Sequence, residues 1–214
     1  REQQQLAGLR KLPSMTSDGR RIGLYANLEL PREVESALAA GAAGVGLLRT
    51  EFLYMNRPDL PTEDQQYEIL REIVEGMNGR PVTIRTLDIG NDKLAPALKH
   101  HMVETANPAL GLRAIRLSLR DRPLLDAQLG AILRAAAHGP VRLLLPMISH
   151  VGEVKQTRLA LEQVAKRLKR RGVKIPDVLP PLGVMIEIPG GVLAADALPQ
   201  WSDLFAIGSN DLTM

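Results

Sequence analysis

Six short apolar runs, many of them β-branched, recur along the chain at residues 22–28, 44–52, 82–89, 141–148, 182–188 and 204–209. In each, apolar side chains stand at consecutive positions instead of alternating, which is the pattern of strands buried on both faces of a parallel sheet. Helical patterns fill the gaps. Residues 31–40 open with Pro31 and close at Gly41, and residues 62–77 open with Thr62-Glu-Asp and close near Gly79. Residues 108–137 are too long for one average helix and are expected to break near Asp121 to Pro123. Residues 151–171 place Val154, Leu161, Val164 and Leu168 on one face, and residues 192–198 predict a short last helix before Pro199.

Alternating strands and helices indicate an α/β fold, either an open doubly wound sheet or a barrel. No Gly-x-Gly-x-x-Gly turn follows the first strand; Gly41, Gly44 and Gly46 lie before and inside the second, outside the context of a dinucleotide fingerprint. The expectation is therefore a (β/α)₈ TIM barrel with about six of its eight strands in this chain. Such barrels run to about 250 residues, whereas this sequence has 214 and stops in the turn after its sixth strand. Residues 1–21, with an Asp18-Gly19 turn, read as a lead-in linker or helix, and residues 22–214 as one barrel domain, incomplete at its C-terminus. A hydrophobic content of 45% suffices for one substantial core.

The formal charge of +3 is a slight surplus with no concentrated field, and the densest basic run, Lys166 to Arg171, closes a helical pattern just before Gly172. Nucleic acid is not expected as a partner. The sequence has no cysteine, which removes disulfides, thiolate metal sites and thiol catalysis. No stretch approaches the roughly 20 apolar residues of a membrane span, so a cytoplasmic chain without membrane insertion is expected.

Barrel chemistry collects at the C-terminal ends of strands. Here those ends carry Asn27 and Glu29; Arg49 and Glu51; Arg85 and Asp88 with Asn91, Asp92 and Lys93; Met147 and Ser149; Glu187; and Asn210 and Asp211. An arginine at a buried strand end must be paired or meet an anion. Arg49 and Arg85 end consecutive strands, and Arg113 is a further candidate. Their guanidinium forks suit a shared phosphate or carboxylate, although structural ion pairs with Glu51 or Asp88 would also satisfy them. Glu187 and Asp211 end the last two strands and offer two hard oxygen ligands, fit for Mg²⁺ completed by water and substrate oxygens, with a structural carboxylate pair as the alternative. Anion-binding arginines beside a Mg²⁺ site suit phosphoryl transfer or enolate chemistry. His100, His101, His138 and His150 are expected to be surface or capping residues. Trp201, Phe52, Phe205, Met55, Met77, Met147 and Met185 are expected to pack.

The strings Gly46-Leu-Leu-Arg-Thr-Glu-Phe-Leu53, Ile84-Arg-Thr-Leu-Asp-Ile-Gly90 with Asp92-Lys93, Asn107-Pro-Ala-Leu-Gly-Leu-Arg-Ala-Ile-Arg116, Pro146-Met147, Val184-Met-Ile-Glu-Ile-Pro189 and Gly208-Ser-Asn-Asp-Leu-Thr213 closely resemble the C-terminal, phosphoenolpyruvate-binding domain of the enzyme I family of the phosphoenolpyruvate:sugar phosphotransferase system. The resemblance runs from about Ile22 to Thr213. It implies substrate-binding roles for Arg49, Arg85, Arg113, Lys93, Asn210 and Asp211, and Mg²⁺ ligation by Glu187 and Asp211. It further implies phosphoryl transfer to a protein histidine, a histidine-containing phosphocarrier as partner, a homodimer, and service to a sugar or nitrogen-related branch. The catalytic histidine and the proton-donating cysteine of the family lie outside this chain, so no catalytic residue is assigned and the 214 residues alone are expected to be inactive. Pyruvate phosphate dikinase and phosphoenolpyruvate synthase share the barrel and are the enzymatic alternative, and a phosphoenolpyruvate-sensing or dimerisation module is the non-catalytic one. The Arg85 to Lys93 string favours enzyme I.

Overall fold

The computed structural model describes residues 12–55, 57–89 and 111–213. Strands β1 (Ala26–Leu28), β2 (Val45–Leu48), β3 (Val82–Arg85), β4 (Val141–Leu145), β5 (Leu182–Ile186) and β6 (Leu204–Ile207) form one sheet in sequence order, each parallel to the next. Helices α1 (Val34–Ala39), α2 (Glu63–Gly76), α3 (Ala114–Arg120), α4 (Arg122–Ala135), α5 (Val151–Arg170), α6 (Pro189–Leu193) and α7 (Ser209–Leu212) occupy the connections.

The sheet curls. In a flat sheet of six strands the outer two would stand roughly 24 Å apart. Here a single cavity of about 500 Å³ touches Tyr25 and Asn27 at β1, and also Ala206 and Ile207 of β6. The architecture is a partial (β/α) barrel, as the sequence led one to expect.

Local chemistry sets the helix ends. Thr62 accepts the Gln65 N–H at 3.2 Å and Gln65 accepts the Thr62 N–H at 3.1 Å, a reciprocal cap that starts α2. His150 caps α5 by accepting the Gly152 N–H at 3.0 Å, while Glu153 returns to the N–H groups of Ser149 and His150. The expected break between α3 and α4 falls at Asp121, whose carboxylate accepts the Leu124 N–H as Pro123 enters the first turn. The basic run does lie at the α5 C-terminus, followed by Gly172 at φ +69°. Asp18-Gly19 forms a turn with Gly19 at φ +84°.

One core joins the strands to the helices. Val45, Leu48, Val82, Ile84, Leu143, Leu145 and Val184 pack with Leu70, Ile73, Leu129, Ile132, Val164 and Leu168. A second cluster, Leu53, Tyr54, Leu87, Ile89, Leu117 and Leu124, sits beyond the strand ends. It explains why the apolar runs outlast the strands: residues 51–53 form a 3₁₀ turn after β2, and Leu87 and Ile89 follow β3 as buried loop residues.

Four expectations need correction. The first apolar run, 22–28, is a strand only at Ala26–Leu28, and Ile22, Leu24 and Tyr25 before it are exposed. The last full connection is helical at Pro189–Leu193, not 192–198, because Pro189 is suited to the first helical position; a 3₁₀ turn at Leu198–Gln200 follows. Phe205 is 43% exposed: in β6, the last of the described strands, side chains alternate between half-buried and exposed, and Ile207 is 76% exposed. Met55 is likewise exposed, whereas Met77, Met147 and Met185 are buried.

The glycines around β2 have a packing role. A Cβ on Gly44 would stand 2.5 Å from the Pro81 carbonyl oxygen and 3.0 Å from the Tyr25 ring, and one on Gly46 would stand 2.9 Å from the Tyr25 Cβ. Tyr25 crosses the start of β2 only because both are glycine. Gly44→Ala is expected to lower stability by about 1–3 kcal/mol through overpacking against backbone, read as a reduced urea midpoint at unchanged denaturant slope.

Candidate functional site

At the C-terminal ends of β2 and β3 the polar residues form an alternating chain of charge. Arg85, nearly buried, places Nη2 2.8 Å from Glu51 Oε1 and Nη1 3.1 Å from Asp88 Oδ2. The other Asp88 oxygen holds Arg113 Nη2 at 3.0 Å, and Glu51 Oε1 also accepts the Asp88 N–H at 3.1 Å. Arg113, Asp88, Arg85 and Glu51 thus neutralise one another in sequence. The ion-pair alternative describes Arg85, but Arg49 pairs with neither Glu51 nor Asp88: its Nη1 lies 2.8 Å from Glu29 Oε1, just past β1, and its side chain is 44% exposed.

The cavity between β1 and β6 collects several of the expected groups. Arg49, Arg85, Asn210 and Asp211 line it, together with Asn27, Met185, Gly208 and Ser209. Arg113 reaches this assembly through Asp88. Lys93, Asn91, Asp92, His100 and His101 lie outside the described residues.

Glu187 is 0% exposed. Its Oε1 accepts the Met147 N–H at 2.6 Å, and its Oε2 is buried with no hydrogen-bond partner. Met147, two residues beyond β4, has φ +56°, a left-handed conformation that is unusual for a non-glycine residue. Burial pushes the Glu187 carboxyl up to about 7; the Met147 N–H opposes that shift, Asp88 adds to it, Arg85 opposes it and Asp211 adds to it. A Cβ on Gly208, which lines the cavity, would stand 2.8 Å from Glu187 Oε2. The absent side chain therefore leaves the unpartnered oxygen next to the cavity wall.

This donor set fits a hard divalent cation. Glu187 directly follows β5, whereas Asp211 lies not at the end of β6 but in the short helix α7 that follows it; both are oxygen donors, and one Glu187 oxygen is buried without a partner. Among the described residues no group of three or more His, Cys, Asp or Glu is gathered as a metal cage. A cation here would have to complete its shell with water and ligand oxygens, as Mg²⁺ commonly does.

The histidines that are described lie elsewhere. His138 pairs with Glu75 at 2.7 Å and meets the Tyr67 hydroxyl at 3.0 Å on the outer helices, and His150 is a cap.

A sequence model described as PEP-utilising enzyme, PEP-binding domain matches residues 3–214. The chain belongs to this family. It is 48% identical over 212 residues to a phosphoenolpyruvate-protein phosphotransferase of Cupriavidus necator, covering 99% of this chain and 36% of that protein. Proteins of the same name from Geobacillus stearothermophilus and Streptococcus equinus are 44% and 42% identical, over 93% and 95% of this chain. The chain spans about a third of the length of these relatives, 34% to 36%. In this PEP-binding domain the sequence motifs located the arginines and carboxylates, but they missed the Met147 N–H as a carboxylate donor, the Glu29 partner of Arg49 and the space at Gly208. The Pro146-Met147 string was the one signal for the first of these.

Because folded Glu187 binds its proton more tightly than the unfolded chain, whose carboxyl stays near 4.5, stability in metal-free buffer falls as pH rises from about 4.5 through about 7. That contribution is fully lost above the folded value. Glu187→Gln is expected to flatten the decline, a difference on the order of 3 kcal/mol between pH 4 and pH 8, measured by urea unfolding with a chelator present.

Proposed function

We propose that this domain binds phosphoenolpyruvate with Mg²⁺ and serves the phosphoenolpyruvate–protein phosphotransferase reaction, in which the phosphoryl group passes to a protein histidine. The observation that carries this reading is the cavity in which Arg49 and Arg85 face Asn210 and Asp211, with the unpartnered oxygen of Glu187 behind its wall. Phosphoenolpyruvate brings a phosphate and a carboxylate. Arg49 and Arg85 suit those anionic groups, with Arg113 and Lys93 as further cations and Asn210 and Asp211 as polar contacts. Glu187 and Asp211 would hold Mg²⁺, whose charge offsets that developing on the substrate oxygens.

The acceptor histidine is taken to come from outside the described residues, since His138 and His150 are placed in structural roles away from the cavity. In this reading residues 1–21 lead into a barrel domain spanning 22–214. The parent protein passes the phosphoryl group on to a histidine-containing phosphocarrier, works as a homodimer in the cytoplasm and feeds a sugar or nitrogen-related phosphotransferase system. Among the described residues no helix is long and apolar enough to cross a membrane. The names of the relatives favour phosphotransferase over the dikinase and synthase alternatives.

Calorimetric titration tests the reading. Phosphoenolpyruvate is expected to bind with Mg²⁺ and at least about tenfold more weakly without it, a difference of about 1.4 kcal/mol. Glu187→Gln and Asp211→Asn should each abolish the Mg²⁺ effect. Arg49→Ala breaks only an exposed ion pair, worth about 0–1 kcal/mol, so it should leave the melting temperature nearly unchanged while weakening phosphoenolpyruvate binding about tenfold or more. Equal affinity with and without Mg²⁺, or no effect of Arg49→Ala, would refute the assignment.

A further inference from the structure

Two buried polar residues that no part of the proposed chemistry uses lie beneath the arginine cluster. Thr50, between Arg49 and Glu51, is 0% exposed, and Gln128, on the inner face of α4, is 1% exposed. The Thr50 hydroxyl donates to the Arg85 carbonyl at 2.9 Å, the Gln128 Nε2 donates to Thr50 Oγ1 at 3.1 Å, and Gln128 Oε1 accepts the Leu87 N–H at 2.9 Å. Both donors and acceptors are satisfied in one short chain.

The groups they engage are a specific pair. In a parallel ladder, one residue of a strand bonds the carbonyl before and the N–H after a single residue on its neighbour. The Arg85 carbonyl and the Leu87 N–H flank Thr86 in that way. On the other side Thr86 still follows the sheet, donating its N–H to the Leu144 carbonyl at 3.0 Å. On the β2 side no strand is left to take the pair, because β2 ends at Leu48 and the chain turns into the 3₁₀ turn Glu51–Leu53. That turn is what carries Glu51 over to Arg85 and the Asp88 N–H.

We propose that the Thr50 and Gln128 side chains stand in for a missing β2 residue, and that they act as positioning residues which hold the Arg85 to Asp88 segment in register so that Arg85 faces the cavity. The substitution of side chains for backbone reconciles two demands. β2 must leave the sheet early to deliver Glu51, yet β3 must continue straight to present Arg85. A residue on the outer helix layer thereby sets the spacing of the anion site, although it touches neither the cavity nor any proposed ligand.

This inference rests on the phosphoenolpyruvate reading for its functional consequence, so two measurements separate them. The first needs no ligand: amide hydrogen exchange at Leu87 in the full chain, comparing wild type with Gln128→Met, Thr50→Val and Thr50→Ser. Leu87 should exchange about tenfold faster or more in Gln128→Met relative to amides of β4. The second is phosphoenolpyruvate titration with Mg²⁺ well below the melting temperature of each variant. Gln128→Met and Thr50→Val should weaken binding about tenfold, and Thr50→Ser, which keeps the hydroxyl, should stay within about twofold of wild type. Unchanged Leu87 exchange in Gln128→Met overturns the clamp. So does wild-type affinity in the folded fraction of both disruptive variants, which would reduce the pair to fold stability alone. If wild type itself fails to bind phosphoenolpyruvate, the ligand assignment falls while the Leu87 comparison still decides the register claim.

Discussion

The site is organised by the need to neutralise Arg85. A guanidinium cannot shed its charge, and one this deeply placed would cost several kcal/mol without partners. Glu51 and Asp88 supply them on Nη2 and Nη1, and Asp88 then carries Arg113 on its second oxygen. Removing one member of such a set leaves an uncompensated charge, a loss typically of about 3–5 kcal/mol. The requirement reaches into the fold. Glu51 must arrive from β2, which shortens that strand, and Asp88 must arrive from a loop that leaves β3 beside α4. The apolar cluster of Leu53, Leu87, Ile89 and Leu117 closes beneath those departures.

This arrangement divides the cavity's cations into two kinds. Arg85 is fixed by charge-assisted bonds and has low freedom to turn. Arg49 pairs with Glu29 near solvent, where an ion pair contributes about 0–1 kcal/mol. In the proposed reading an incoming anion would take Arg49 from Glu29 at small cost, whereas at Arg85 it would add to a guanidinium already oriented. A preorganised donor such as Arg85 would lower the cost of ordering on binding, and a loosely paired one such as Arg49 would ease entry. The sequence pattern, arginines at two consecutive strand ends, did not distinguish them, because burial depends on which strand lies outside each one.

Much of the fold was legible because its signals are local. Consecutive apolar residues marked the strands, and Thr62, Asp121 and Gly172 marked helix ends through hydrogen bonds made within a few residues. The failures were non-local. Phe205 reads like any strand residue; its burial depends on what lies against β6, the last of the described strands. The partner of Arg49 is 20 residues away, just past β1, and is brought beside it by the pairing of β1 with β2. Gln128 did carry a signal, an amide amid Leu124, Leu125, Leu129 and Ile132 on a buried helix face, and a polar residue at a core position asks for a partner. What it bonds could be read only once α4 was placed against β2 and β3.

Glu187 shows why cation and anion belong together in the proposed reading. It is buried beside Asp88 and Asp211, whose charges raise the cost of ionising it, and Arg85 and the Met147 N–H offset only part of that. A divalent cation between Glu187 and Asp211 would reverse the balance, favouring both carboxylates in their ionised form. Without that cation an incoming anion would meet the Asp211 charge, whereas with it the two carboxylates are offset just as Arg49 and Arg85 are offset by Glu29, Glu51 and Asp88. In that reading the cation removes the repulsion that the anion would meet, and by the reciprocity of linked equilibria the anion would favour the cation by the same factor.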